Sequence, residues 1–237
     1  MKNIVLLVFV FWNSLCLAAY DDLFLNKTLR IDYVHSGNAK EEYFALDELI
    51  QEPTWDRNRE QLINPFDYGQ YKFQAYDSAT GELIFQTSYS TLFGEWQTTE
   101  EAGQRSRAFH ETVLMPFPKM VVRVEFYSRN RNNEWMKAWS FYVIPKDILI
   151  SKEVAYQCKT RQLQFTGDPS HKLDIVILAE GYTKSQMNKF RNDAKRFMDY
   201  ILDCEPYNKK KDAINFWTVE SASEESGTDN PCKTEWK

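Results

Sequence analysis

Between residues 22 and 147 apolar side chains recur at every second position, and this period limits the fold more than any other feature. Leu29, Ile31 and Tyr33 alternate with Arg30 and Asp32, and Tyr71, Phe73 and Ala75 with Lys72, Gln74 and Tyr76. Val122, Val124 and Phe126 alternate with Arg123, Glu125 and Tyr127, and Trp139, Phe141 and Val143 with Ser140 and Tyr142. A period of two turns one face of a strand inward and the other outward. The breaks Asp77-Ser78-Ala79-Thr80-Gly81 and Arg129-Asn130-Arg131-Asn132-Asn133 carry turn residues and read as hairpin connections. Several short strands at this spacing specify an antiparallel β-sandwich over residues 20–147. Residues 99–109 are charged and, after their start, lack β-branched residues, so they read as a short helix.

The pattern changes after Pro145. Asp174-Ile175-Val176-Ile177-Leu178-Ala179 is a nearly unbroken apolar run, the mark of a strand covered on both faces. Glu180-Gly181-Tyr182 ends it, and Thr183 with Gln186 forms a capping box that opens a helix. Met187, Phe190, Ala194, Phe197, Met198, Ile201 and Leu202 then fall in steps of three and four, an amphipathic stripe that stops before Pro206. A second apolar run follows at 213–219. Strand, helix and strand make a βαβ unit with a parallel pair. Two strands and one helix cannot cover both faces of a parallel sheet, so residues 148–237 read as the beginning of an α/β domain that continues past Lys237.

The first residues have a different character. Lys2, nine apolar residues from Ile4 to Trp12, and Leu15-Cys16-Leu17-Ala18-Ala19 have the layout of a secretory signal peptide spanning 1–19. The run is shorter than the about 20 apolar residues of a membrane span. Leu15 is bulky where a lipobox wants a small residue, which weakens a lipoprotein reading of Cys16. The expected location is secreted, periplasmic or cell-surface, with no transmembrane segment. Cys158, Cys204 and Cys232 remain after cleavage: one disulfide with a leftover thiol, or three buried free thiols.

Several chemistries are excluded. No two of the 8 glycines lie within two residues of each other, which removes dinucleotide and Walker phosphate loops. A net charge of −5 argues against a nucleic-acid partner. There is no G-x-S-x-G elbow and no Cys placed beside a His. His110-Glu111 is half of a zincin motif, but residue 114 is Leu where H-E-x-x-H needs its second His, and the segment reads as a strand. His35 and His171 flank turns and read as solvated. The four tryptophans Trp55, Trp96, Trp135 and Trp139 could bind glycans, although core packing accounts for most tryptophans in such a fold.

Two places hold candidate site residues. Glu180 ends a buried strand, where open α/β sheets bind ligands, although a carboxylate before a helix N-terminus also has a purely structural role. The loop after the second strand carries Glu220, Glu224, Glu225 and Asp229 with four hydroxyl residues. Oxygen-rich loops suit hard cations, but this spacing fits no EF-hand and a solvated acidic loop is the simpler reading. No catalytic or metal residue is assigned from either.

Ile177-Leu178-Ala179-Glu180-Gly181-Tyr182-Thr183 and Val219-Glu220-Ser221-Ala222-Ser223-Glu224-Glu225-Ser226-Gly227-Thr228-Asp229 resemble the opening of the catalytic domain of the secreted bacterial IgA-peptidase family, metallopeptidase family sixty-four. Lys27-Thr28-Leu29-Arg30-Ile31-Asp32-Tyr33, Ala45-Leu46-Asp47-Glu48-Leu49, Leu92-Phe93-Gly94-Glu95-Trp96 and Asp147-Ile148-Leu149-Ile150 are similar to that family's N-terminal domain. The resemblance implies a zinc endopeptidase with a protein or peptide substrate and a β-sandwich ahead of a zincin-like domain. It also implies zinc ligands downstream of the matched segment, so this chain is expected to hold no cofactor and to be inactive alone. The competing reading is a non-catalytic extracellular β-sandwich module that binds protein or glycan.

Overall fold

The computed structural model describes residues 20–152, 157–229 and 232. The expected signal peptide and Cys16 lie outside the described residues. Among those described, no helix is long and apolar enough to cross a membrane.

A single helical turn, α1 (Tyr20–Leu23), leads into the long strand β1 (Phe24–Gly37). One sheet is ordered β5-β1-β2-β8, with β2 at Glu42–Glu52, β5 at Arg107–Pro118 and β8 at Ile150–Ser151. The other is ordered β4-β3-β6-β7, with β3 at Tyr71–Asp77, β4 at Leu83–Tyr89, β6 at Val122–Arg129 and β7 at Trp135–Val143. The alternation read from the sequence decides how they pack. Leu29, Ile31 and Tyr33 are fully buried, as are Phe73, Ala75, Val122, Val124 and Phe126 from the facing sheet. Tyr33 meets Phe126 edge-on at 5.1 Å between ring centroids, and Phe126 meets Trp139 at 5.0 Å. Truncating a ring such as Phe126 in this layer would cost about 3–5 kcal/mol. The expected hairpin turns join β3 to β4 and β6 to β7, and Asn133 takes a left-handed φ of 65° in the second.

Three details depart from expectation. The sandwich is not purely antiparallel, because β8 runs parallel to β2, and pairing with this sheet therefore continues to Ser151. Residues 99–109 are not a helix. The α-helix α2 lies upstream at Leu92–Trp96, where the Thr91 side chain caps the Gly94 N–H, and only Glu101–Gly103 forms a further 3-10 turn. Residues 107–109 are drawn into β5 by pairing with β1, Arg107 opposite Gly37 and Phe109 opposite His35. Long-range pairing wins there over local preference.

His35 is the third. It is not solvated but fully buried, stacked between Phe93 at 3.8 Å and Phe44 at 4.1 Å. Its Nδ1 lies 3.0 Å from Glu111 Oε2 and its Nε2 3.2 Å from Glu42 Oε2. Carboxylates only accept, so both ring nitrogens donate and the ring is an imidazolium. Glu111 also accepts from Tyr33 Oη and the Phe93 N–H, and Glu42 from Tyr71 Oη. The network thus ties α2 to four strands, β1, β2, β3 and β5.

The second half holds β9 (Lys159–Gln164), β10 (Leu173–Leu178), α3 (Met187–Asp203) and β11 (Ile214–Glu220). β10 and β11 are parallel, as the βαβ reading requires, while β9 adds an antiparallel edge that the polar sequence of residues 159–164 did not announce. The Thr183–Gln186 capping box is present and opens a short 3-10 turn ahead of α3. Met187, Phe190, Ala194, Met198 and Leu202 are buried along α3, but Phe197 of the expected stripe is exposed. The β10 run is covered on one face only. Ile175 and Ile177 pack towards α3, while Val176 and Leu178 are 51% and 63% exposed. Cys158, Cys204 and Cys232 are free thiols and match neither expected arrangement, one disulfide with a leftover thiol or three buried thiols: Cys158 is half-buried, and Cys204 and Cys232 are exposed.

Two outcomes follow from this packing. Limited proteolysis is expected to leave a core ending near Ser151 and to digest the three-stranded half, whose apolar clusters are smaller; equal protection of both halves would overturn this. His35→Phe leaves two carboxylates without their shared cation and should cost about 3–5 kcal/mol in denaturant unfolding. Burial pulls His35 down, but the hydrogen bonds and charges of Glu111 and Glu42 outweigh it and hold it above the ordinary histidine value. Burial pushes both glutamates up, and their bonds to His35 outweigh that and hold them below the usual carboxylate range. The histidine contribution is full below about pH 6.5 and lost as pH rises through its raised pKa, and the glutamate contributions are lost as pH falls below about 4.5. The wild-type advantage over the variant should therefore peak between those values, and a flat pH profile would contradict it.

Candidate functional site

The βαβ crossover sets the position of the site. Because β10 and β11 are parallel, their carboxyl ends leave the sheet side by side, Leu178 opposite Val219. The loops that follow are joined by backbone. Gly227 N–H donates to Gly181 O at 2.9 Å, and Ser223 N–H to Tyr182 O at 2.9 Å. Two of the loop hydroxyls are used here: Ser221 Oγ donates to Ala179 O at 3.0 Å, and Ser223 Oγ accepts from Gly181 N–H at 2.9 Å. Gly181 has a φ of 71°, and a Cβ on it would stand 2.6 Å from Gly227 O. Only glycine fits this approach.

Tyr182 fixes the first loop to the helix. Its hydroxyl donates to Asp193 Oδ2 at 3.0 Å and its ring packs on Phe190 at 5.4 Å. The joined loops leave a cleft of about 540 Å³ lined by Glu180, Gly181, Ser223, Glu224, Glu225, Gly227, Thr228 and Asp229. Four of the five acidic residues singled out from the sequence thus meet in one cleft at the carboxyl ends of the parallel strands, the end at which open α/β sheets in general bind ligands. All four are exposed. Among the described residues, no group of three or more His, Cys, Asp or Glu side chains is placed to hold a metal ion.

Glu220 stands apart from the other four. It accepts from Arg161 Nε at 2.5 Å and, two-pronged, from Arg191 Nε at 2.7 Å and Nη2 at 2.9 Å. Arg161 belongs to β9 and Arg191 to α3, so Glu220 clamps edge strand and helix to the end of β11. The guanidinium bonds hold its carboxyl at a pKa of about 2, against the opposing effect of burial. This is a structural ion triad. No sequence signal separated it from its acidic neighbours, because both arginines come from distant elements.

Residues 19–140 match the family model described as Peptidase M64 N-terminus, and residues 162–236 match that of IgA Peptidase M64. The chain belongs to the M64 peptidase family. No curated protein matches it. In this M64 chain the cleft lies within the segment matched to the peptidase model, and the sandwich within the segment matched to the N-terminal model.

The clamp carries a pH prediction. A lowered carboxylate pKa gives stability that is full above about pH 4.5 and lost as pH falls towards 2. Glu220→Gln should therefore lower stability by about 1 kcal/mol at pH 7, discounted because both guanidiniums keep contact with water. Thermal unfolding of both proteins should converge near pH 2. A difference that persists undiminished at pH 2 would show that the cost comes from packing and not from charge.

Proposed function

We propose that this chain is the N-terminal part of an exported zinc-dependent endopeptidase of the IgA-peptidase type and is inactive by itself. In this reading residues 20–147 form an accessory β-sandwich, residues 148–237 open the catalytic domain, and the zinc ligands lie outside the residues of this sequence. The observation that carries it is that both family models match, in order, along one chain. Export is supported by the basic, apolar and small-residue segments of residues 1–19. The acidic cleft of Glu180, Glu224, Glu225 and Asp229 is read as a wall facing the peptide substrate and not as the reacting centre.

The residues present do not fit a catalytic zinc, which takes about three protein ligands with one position left open. Both nitrogens of His35 are committed to Glu111 and Glu42. His110 stands exposed on β5 with its Nδ1 3.4 Å from Asp47. His171 is exposed in the turn ahead of β10. Strand geometry also turns His110 and Glu111 to opposite faces, one towards water and one into the core.

The test is elemental analysis of the purified chain after dialysis, together with turnover of a broad peptide library that includes immunoglobulins. Well under one zinc per chain and no cleavage are expected. Stoichiometric zinc with chelator-sensitive cleavage would place the site within these residues and overturn the reading. The family-level reading itself is checked by reading the gene beyond codon 237, where an H-E-x-x-H is expected.

A further inference from the structure

Away from the acidic cleft, the outer edge of β4 carries a surface that the peptidase reading does not use. Residues 62–64 run alongside that edge, with Gln86 N–H donating to Leu62 O at 3.0 Å and Asn64 N–H to Gln86 O at 3.1 Å. The chain then continues past Phe66 and Tyr68, two residues apart on one side of an extended segment. Their rings are parallel within 1°, with centroids 5.4 Å apart, and they are 56% and 73% exposed.

The backbone beneath them is fixed. Phe66 N–H donates to Asn64 Oδ1 at 2.8 Å, and Ser88 Oγ donates to Phe66 O at 2.9 Å. Arg129 donates to the carbonyls of Asp67 and Gly69. Gly69 has a φ of 87°, and a Cβ there would stand 2.3 Å from Tyr89 O. The backbone that carries these two exposed rings is thus held by hydrogen bonds, which lowers the ordering cost of binding.

Phe66 also forms one wall of a pocket of about 270 Å³, with Trp55 and Phe85 as further apolar walls. Arg57, Gln61 and Asn64 supply its polar rim, and no carboxylate lines it. The hydrogen-bonding capacity of that rim is mostly unspent. The Gln61 side chain makes no hydrogen bond within the described residues, Arg57 makes only a ring contact over Trp55 at 5.6 Å, and the Asn64 side chain uses only its oxygen. The Trp55 indole N–H is buried without an acceptor among the described residues.

We propose that this surface binds a neutral saccharide, with pyranose ring faces stacked on Phe66 and Tyr68 and hydroxyls hydrogen-bonded by Arg57, Gln61 and Asn64. A sugar ring presents C–H groups on its faces and hydroxyls around its rim. It therefore needs flat apolar plates beside groups that both donate and accept, and aromatic rings beside side-chain amides supply both. In the pocket lining a cationic ligand would find no carboxylate, and a phosphorylated one would find a single arginine instead of a cluster. A peptide added as a strand needs a free sheet edge, and residues 62–64 already occupy that of β4. The inference concerns the sandwich alone and does not depend on the peptidase reading.

The experiment titrates the purified chain with neutral oligosaccharides of three to six units (gluco-, xylo-, manno- and galacto-series), following tryptophan fluorescence and calorimetry. At least one series is expected to bind in the micromolar to millimolar range. Phe66→Ala and Tyr68→Ala should each weaken it at least about tenfold with unchanged thermal unfolding, and Gln61→Ala should weaken it as well. Tyr200→Ala, which removes an equally exposed ring from α3, should leave binding unchanged. The proposal is overturned if no series binds at about 10 mM, if binding is indifferent to both aromatic substitutions, or if unglycosylated peptides bind this surface in place of the sugars.

Discussion

The fold depends on one contact layer, the inward residues of β1 packed against those of β3 and β6. Leu29, Ile31 and Tyr33 from one sheet and Phe73, Val124 and Phe126 from the other are all buried, with Tyr33 meeting Phe126 edge to face and Phe126 stacked on Phe73. Without this layer neither four-stranded sheet would have a covered face. The layer also explains why a charged group can lie within the sandwich. Where β1 reaches its end the apolar positions run out, and His35 occupies the next inward site. Burying an imidazolium is tolerable there because Glu111 arrives from β5 and Glu42 from β2, each carrying further donors, so that no charge is left alone. Glu111 also anchors α2 through the Phe93 N–H. A polar network has taken over the role of the core at its rim.

The smaller half is organised by a different constraint, the joining of two loops at the carboxyl ends of parallel strands. Gly181 and Gly227 allow the backbones to touch, and Glu220 draws β9 and α3 onto the end of β11. The acidic residues then divide by position. The one at the strand end is consumed by two arginines, and the other four line a common cleft.

Much of this was legible in advance. The alternation in residues 29–33, 71–76, 122–127 and 139–143 gave the sandwich its strands and faces, the turn residues its hairpins, and Thr183 with Gln186 the start of α3. Family membership was legible from the motifs around residues 27–33 and 177–183 and from the loop 219–229. The acidic residues could be named, but not sorted. The helix placed at 99–109 failed because its last residues had a partner strand waiting in β1. His35 failed because its partners are 7 and 76 residues away, and nothing near it in the sequence announced a carboxylate. Phe197 failed because a stripe of the right period does not say how wide the covering sheet is.

The sequence by itself determined what is local and periodic: which residues alternate, where turns and caps fall, and which half is β and which is α/β. These are short-range consequences of steric preference and side-chain period, and they hold before any element meets another. The tertiary structure alone decided which titratable groups are buried, paired or left in water. It committed His35 to two glutamates and Glu220 to two arginines, and it gathered Glu180, Glu224, Glu225 and Asp229 into one cleft. It also set Phe66 and Tyr68 in parallel, with Phe66 sharing a pocket with Trp55. Each of those outcomes depends on groups from different elements meeting across the fold, and the strength of a charge or hydrogen bond is set by such neighbours and by the exclusion of water.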